Sequence, residues 1–328
     1  MNKIFPKKLK KGDTVQVIAP ASSLGIISQE NREISNQRFQ KMGLKLIFGK
    51  HVEEIDDFNS SSIESRIEDL HEAFRNPKVK VVLCVIGGFN SNQLLKYIDW
   101  NLIKNNPKIF CGFSDITALG NAIFAKTGLV NYSGPAYANF SEKKGFDYTL
   151  EYFEKCLFSK KPFEIKPSQK WSDDKYYLDQ KNRTLFKNKG PLIVNEGEVE
   201  GTLLGGNLCT LNLLQGTQYF PDISNSILFI ENDYESNAVT FDRNLQSLLH
   251  LPNFDKVRGI VFGRFQRASE INNDKLIKII KTKKELDSFS IIINADFGHT
   301  QSMITFPIGG RAKLSVKDGK IKLEIIEH

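Results

Sequence analysis

Apolar runs and amphipathic stretches alternate through the first half of the chain, and the alternation predicts a set of elements. Residues 14–19, TVQVIA, form an apolar run stopped by Pro20, which predicts a strand and then a loop holding Ser22 and Ser23. Helical spacing over 29–42, a short apolar run over 44–48 and helical spacing again over 62–74 predict helix, strand and helix. Pro77 introduces KVVLCVIGG, a β-branched strand closed by Gly87 and Gly88. After another helix comes an apolar strand over 108–113, and 115–126 reads as a helix, so Ser114 falls on the turn between them. Strands apolar nearly throughout and separated by helices predict a parallel sheet covered on both faces. The expected fold is α/β, with a flavodoxin-like parallel-sheet domain over 1–160 whose ligands would gather at the carboxyl ends of the strands.

The pattern changes beyond that point. Residues 161–195, which include KWSDDKYY, are polar, spotted with aromatics and without sustained period, and are expected to form a linker and a long surface loop. Periodicity returns at EGTLLGGNLCTLNLLQGT, where Gly205 and Gly206 lead toward a helix. No GK[ST] follows, so a Walker phosphate loop is excluded and the glycines read as permitting close backbone packing. An apolar strand over 226–230 ends on Glu231, the amphipathic helix FDRNLQSLLHLP follows, and VRGIVFGRF and 290–295 read as further strands. A hairpin turns at Asp318-Gly319, so 196–328 is expected to be a smaller α+β domain.

Three strand ends carry complementary chemistry. Ser114 sits where a turn exposes its hydroxyl beside the unpaired N–H groups of a helix start, which suits a nucleophile sharing one turn with an oxyanion hole. Taken alone, Ser114 reads more simply as an N-cap. Glu231 and His299, on distant segments, supply an orienting acid and a general base, giving the chain order Ser, Glu, His. Ser22 and Ser23 also follow a strand but lack the helix start. His71 and His250 lie on amphipathic helices and read as helix-surface residues, while His51 and His328 are expected to be exposed. Asp296 near His299 raises the question of a metal, yet no H-x-x-x-H or C-x-x-C spacing exists, and none is expected.

Composition narrows the class. The 328 residues are 40% hydrophobic and 25% charged, as in soluble two-domain proteins. The longest apolar run, 79–86, is far short of a membrane span, and the basic N-terminus leads into no apolar segment, so a cytoplasmic protein without membrane association is expected. Cys84, Cys111, Cys156 and Cys209 form no spaced pair and read as reduced thiols. The net charge of +7 invites nucleic-acid binding, but the lysines are scattered among acidic residues without interleaved aromatics; at most the field favours an anionic substrate.

Six ordered blocks, KKGDTVQVIAPAS, IGGFNSNQLL, CGFSDITAL, EGTLLGGNLCTLNLLQGT, ILFIEND and FGHT with its trailing FPIG, together resemble the LD-carboxypeptidase family of serine peptidases, which includes the microcin-C immunity peptidases. The resemblance spans nearly the whole chain. It implies Ser114 as nucleophile, Glu231 as orienting acid and His299 as base, with an oxyanion hole from the amides of Asp115 and one of the Gly-Gly pair, taken as Gly88, although Gly87 stays open. Ile86 before the glycines and the FNSN continuation, with Asn90 lining the site, are similar to the immunity branch; cell-wall-recycling members typically carry Arg at the position of Ile86. In the immunity branch a loop aromatic stacks on the nucleotide end of a peptidyl adenylate, and Trp171 is the candidate here, its plainer reading being a partly buried loop anchor. The resemblance also suggests a homodimer, and no cofactor is implied.

The resulting expectation is a serine peptidase cleaving an amide bond near the carboxyl end of a small modified peptide or peptidyl nucleotide. The alternative within the family is an LD-carboxypeptidase of cell-wall peptide recycling. An α/β-hydrolase esterase has the same chain order, but its elbow needs a small residue where Ile116 stands. A two-lobed binding protein without turnover is the non-enzymatic alternative.

Overall fold

Five short apolar strands build the first sheet: β1 (Thr14–Ile18), β2 (Lys45–Phe48), β3 (Val79–Cys84), β4 (Ile109–Gly112) and β5 (Asn131–Ser133). In the computed structural model, which describes residues 2–328, they run parallel in the order β5-β4-β3-β1-β2, the doubly wound flavodoxin order expected from the sequence. The intervening helices begin where side chains can cap them. Ser28 and Ser62 accept hydrogen bonds from the amides of Asn31 and Ser65 and so start the helices Gln29–Lys41 and Ile63–Arg75.

The second half contributes β6 (Phe163–Glu164), β7 (Lys170–Trp171), β8 (Phe186–Lys187), β9 (Leu192–Asn195), β10 (Gly197–Asn207), β11 (Ser226–Glu231), β12 (Gly259–Gly263), β13 (Ser290–Ala295), β14 (Phe306–Ile308), β15 (Arg311–Lys317) and β16 (Lys320–Glu327). Eight of these form a second sheet, β6-β16-β15-β10-β11-β12-β13-β9, in which β10 to β13 are parallel and the flanking strands antiparallel. β7 and β8 pair only with each other, as a ribbon. The stretch expected to be linker and loop therefore holds four strands. They are short and no more than half-buried, and only β9, with Leu192-Ile193-Val194, carries an apolar run. The hairpin at Asp318-Gly319 is present, with both residues at positive φ.

One buried cluster runs from Ile18 and Phe110 in the first sheet to Phe229 and Ile292 in the second, and another, with Val17, Leu83 and Ile109, covers the other face of the first sheet. β14 crosses back to pair antiparallel with β5. The helix Ile116–Thr127 wedges between the sheets, where Gly206 lets it approach β10 and Gly205 lets β10 lie close against β11. A Cβ on Gly206 would lie 2.4 Å from Thr117 Oγ1, and one on Gly205 would lie 2.1 Å from the Phe229 carbonyl oxygen. The close packing read from these glycines is thus realised. Hydrogen bonds from the Asn207 amide to Thr117 Oγ1 (3.0 Å) and from Asn121 Nδ2 to the Gly205 carbonyl (2.8 Å) then join the two halves.

Two histidines depart from expectation. His328 is buried, its Nδ1 2.8 Å from both the Cys156 carbonyl oxygen and Lys8 Nζ, because β16 lies inside the second sheet and carries the C-terminus against the helix Asp147–Phe158. His51 is half-buried between the carboxylates of Glu54 (2.5 Å) and Glu68 (3.1 Å). Cys84, Cys111 and Cys156 are buried free thiols, and Cys209 is exposed. Among the described residues no helix is long and apolar enough to cross a membrane.

Candidate active site

β4 ends in a sharp reversal at Ser114, which adopts φ 63° although it is not glycine. A left-handed residue of this kind costs about 1–2 kcal/mol and has to be held in place by its surroundings. The turn removes Ser114 from the cap position: Asp115 precedes the first helical residue, and the Ser114 hydroxyl points instead at His299. Gly87 makes room for it, since a Cβ there would lie 2.7 Å from Ser114 Cβ and 2.8 Å from its Oγ.

The second sheet delivers the partners. Glu231, at the end of β11 and 2% exposed, lies level with Asn207 of β10. β13 leads into the 296–300 loop, where Gly298 at φ 96° brings the chain against Glu231; a Cβ on Gly298 would sit 2.5 Å from Glu231 Oε2. His299 consequently bridges the two sheets. Its Nδ1 is 2.7 Å from Glu231 Oε2 and its Nε2 is 2.9 Å from Ser114 Oγ. The Phe113 ring packs against the imidazole at 5.3 Å between centroids. With Nδ1–H donating to the carboxylate, Nε2 presents its lone pair to the hydroxyl, the arrangement needed to accept a proton from serine.

Burial opposes a charge on His299, but the Glu231 carboxylate and its hydrogen bond, helped by Asp233 and Glu235, outweigh it and raise the imidazole above its ordinary value. Burial likewise pushes the Asp115 carboxyl up, against the hydrogen bonds it accepts. That side chain anchors the turn after the Gly-Gly pair: Asp115 Oδ2 accepts the Ser91 amide and its carbonyl accepts the Ser91 hydroxyl, both at 2.8 Å. Asn90, read as a lining residue, turns its Oδ1 toward Arg66 Nη1 (3.0 Å), a buried guanidinium that also donates to the Asn90 and Pro20 carbonyls. The Gly87 carbonyl accepts the Ser22 amide at 3.1 Å.

Trp171 lies apart from these residues, half-buried on the β7-β8 ribbon with Phe186 at 5.2 Å. The ribbon borders a cleft of about 670 Å³ at the carboxyl ends of β12 and β13, lined also by Lys187, Arg264, Arg267 and Lys275 and not by Ser114, Glu231 or His299. Beyond the ribbon, the loop is latched to the first half. Arg183, its side chain fully buried, pairs with Glu142 (2.8 Å) and with Asp174, and burial pushes the Glu142 carboxyl up to about 7 against the pull of Arg183. Sequence reasoning missed Arg66, Arg183 and Arg264. Arg264 was findable, because it ends a strand as Glu231 does; Arg66 and Arg183 gave no signal, since a buried arginine and a surface arginine look alike in sequence. Among the described residues no group of three or more His, Cys, Asp or Glu side chains is arranged to hold a metal ion.

Known proteins match nearly the whole length of the chain. The LD-carboxypeptidase N-terminal domain matches residues 15–134, and the LD-carboxypeptidase C-terminal domain matches residues 200–314. The chain is 52% identical to YocD of Bacillus subtilis (strain 168), a protein provisionally named a carboxypeptidase, over 99% of this chain and 100% of that one. It is 33% identical to the microcin C7 self-immunity protein MccF of Escherichia coli over 98% of this chain and 95% of that one. A structure of that immunity protein in complex with aspartyl sulfamoyl adenosine superposes with a TM-score of 0.89 at 30% identity, covering 99% of each chain. The crystal structure of an MccF-like protein from Bacillus anthracis str. Ames gives a TM-score of 0.98 at 51% identity, covering 99% and 100%.

Proposed function

The chain belongs to the LD-carboxypeptidase family of serine-type carboxypeptidases, and from that premise we propose that Ser114, Glu231 and His299 form its catalytic triad and cleave an amide bond in a small modified peptide. The observation that carries the reading is the bridging imidazole, within hydrogen-bond reach of serine on one side and glutamate on the other. Ser114 Oγ attacks the scissile carbonyl as His299 Nε2 takes its proton. His299 then gives that proton to the leaving amine, and a water molecule repeats the sequence on the acyl-enzyme. Glu231 holds the tautomer throughout.

The tetrahedral oxyanion falls to the amides of Asp115 and Gly88. A trans peptide points its N–H opposite to its C=O, and the Gly87 carbonyl faces Ser22. The Gly88 N–H of that same peptide therefore points away from Ser22. The Asp115 amide starts the helix behind Ser114, and removing one such donor typically costs about 2.7–4 kcal/mol in the barrier.

For the substrate we infer a peptidyl or aminoacyl nucleotide. Trp171 offers a half-exposed aromatic face, and the cleft beside it also carries Lys187, Arg267 and Lys275, which suit a base and an anionic linkage. The purified protein is expected to cleave an aminoacyl sulfamoyl adenosine, with products read by mass. Trp171→Ala is expected to raise KM for that compound roughly 5- to 150-fold, the worth of one base stack, and to leave a substrate without the base unaffected. Efficient cleavage of a tetrapeptide with an L–D terminal amide, with the adenylate analogue ignored, would move the protein to the cell-wall branch and leave the triad standing.

The acid limb of kcat/KM follows from His299. The base has to be neutral, so activity falls as pH drops through its pKa, and because Glu231 raises that pKa the limb is expected above the ordinary imidazole value of about 6.5. A pH-rate profile of the free enzyme checks this. A limb well below that value would contradict it.

A further inference from the structure

Arg264, one residue past β12, is buried with Asp296, the two side chains being 4% and 3% exposed. Its backbone amide donates to the Ala295 carbonyl (2.9 Å), which keeps it in register with the end of β13. Its guanidinium reaches three segments. Nη1 donates to Asp296 Oδ1 (2.6 Å), three residues before His299, and Nη2 donates to Asn188 Oδ1 (2.7 Å) and the Asn294 carbonyl (3.3 Å). Its guanidinium carbon lies over the Trp171 ring, 5.0 Å from the centroid. Asp296 takes hold of the same ribbon from the other direction. Its Oδ2 accepts the Ser168 amide (2.7 Å) ahead of β7, and both of its oxygens accept Asn188 Nδ2 (3.1 Å) after β8.

We propose that Arg264 is a positioning residue that clamps both legs of the Trp171 ribbon to the loop carrying His299, so that the aromatic platform and the general base keep one fixed spacing. The inference rests on the reading of Trp171 as the platform for a base. A fork of five donors in one plane can satisfy a carboxylate, an amide and an aromatic face at once, whereas lysine offers a single charge with no face. Fixed spacing then makes substrate length a selection criterion, because a reacting carbonyl displaced by about 1 Å already loses much of its rate. A substrate that engages Trp171 and Ser114 together is held in register; one that lacks the base is indifferent to the clamp.

The test uses Arg264→Lys, with Asn188→Ala as a milder second variant that leaves the Arg264–Asp296 pair in place should the first fail to fold. Each is measured against an aminoacyl sulfamoyl adenosine and against the same aminoacyl sulfamide without the nucleoside, with Trp171→Ala alongside. Both variants are expected to lower kcat/KM for the nucleoside compound about fivefold or more, and to leave the truncated compound unchanged. Equal losses on both compounds, or none on either, would overturn the clamp. Acrylamide quenching of Trp171 in a Trp100→Phe background reads the clamp without any substrate, and the quenching constant is expected at least to double in both variants, by about the gain in exposure of a released ring. An unchanged constant overturns the clamp; an increased constant with Trp171→Ala kinetically silent overturns only the reading of the base.

Discussion

Ser114→Ala is expected to abolish turnover and leave the protein folded. Oγ hydrogen-bonds to the His299 imidazole, so its loss removes one hydrogen bond, worth about 0.5–1.5 kcal/mol, at a half-buried surface. The strained backbone stays as it was, since alanine is no happier than serine at φ 63°. Melting temperature should therefore move by only a few degrees, while kcat drops by something near 10⁶, the scale on which a triad depends on its nucleophile. Ser114→Gly separates chemistry from strain. It should be equally inactive yet melt higher than Ser114→Ala, because glycine tolerates positive φ. Residual activity of a few per cent in either variant would remove Ser114 from the mechanism.

Glu231→Gln is expected to lower kcat by roughly 10⁴ with the fold intact, as when a triad loses the acid that orients its histidine. The amide is the same size as the carboxylate and fills the same space between Gly263 and Gly298, so packing survives. Its NH₂ group donates where the carboxylate accepted. The imidazole then carries its proton on Nε2, facing Ser114 with a donor in place of a lone pair. The acid limb of the pH profile should also fall toward the ordinary imidazole value, because the charge that raises His299 is gone. A loss of less than tenfold in kcat, or an unmoved acid limb, would contradict the role given to Glu231.

Much of this geometry was legible before the fold was known, for a physical reason. Parallel strands place their carboxyl-end residues at one edge of a sheet, so Ser114 and Glu231 announced themselves as polar side chains ending apolar runs and His299 as the histidine in the loop after one. Gly205 and Gly206 were readable for a similar reason, as places where backbones meet. The ribbon at Trp171 and strand β6 were not, because two-residue half-exposed strands carry no apolar run, and in β9 the run is only the three residues Leu192 to Val194. Nor were the buried arginines Arg66 and Arg183. Each answers to partners brought in by other segments, carbonyls or a carboxylate contributed tens of residues away. The burial of His328 belongs to the same class, since only the sheet order places the last strand between two others.

The central claim is that Ser114 is the nucleophile, and covalent labelling tests it most directly. Wild-type protein treated with a fluorophosphonate and digested for mass spectrometry is expected to carry one adduct, on the peptide containing Ser114. Label should be absent from Ser114→Ala and strongly slowed in a His299→Ala variant, because the hydroxyl needs its base to react. An adduct on Ser22, Ser23 or another residue, or full activity in protein labelled at Ser114, would contradict the account.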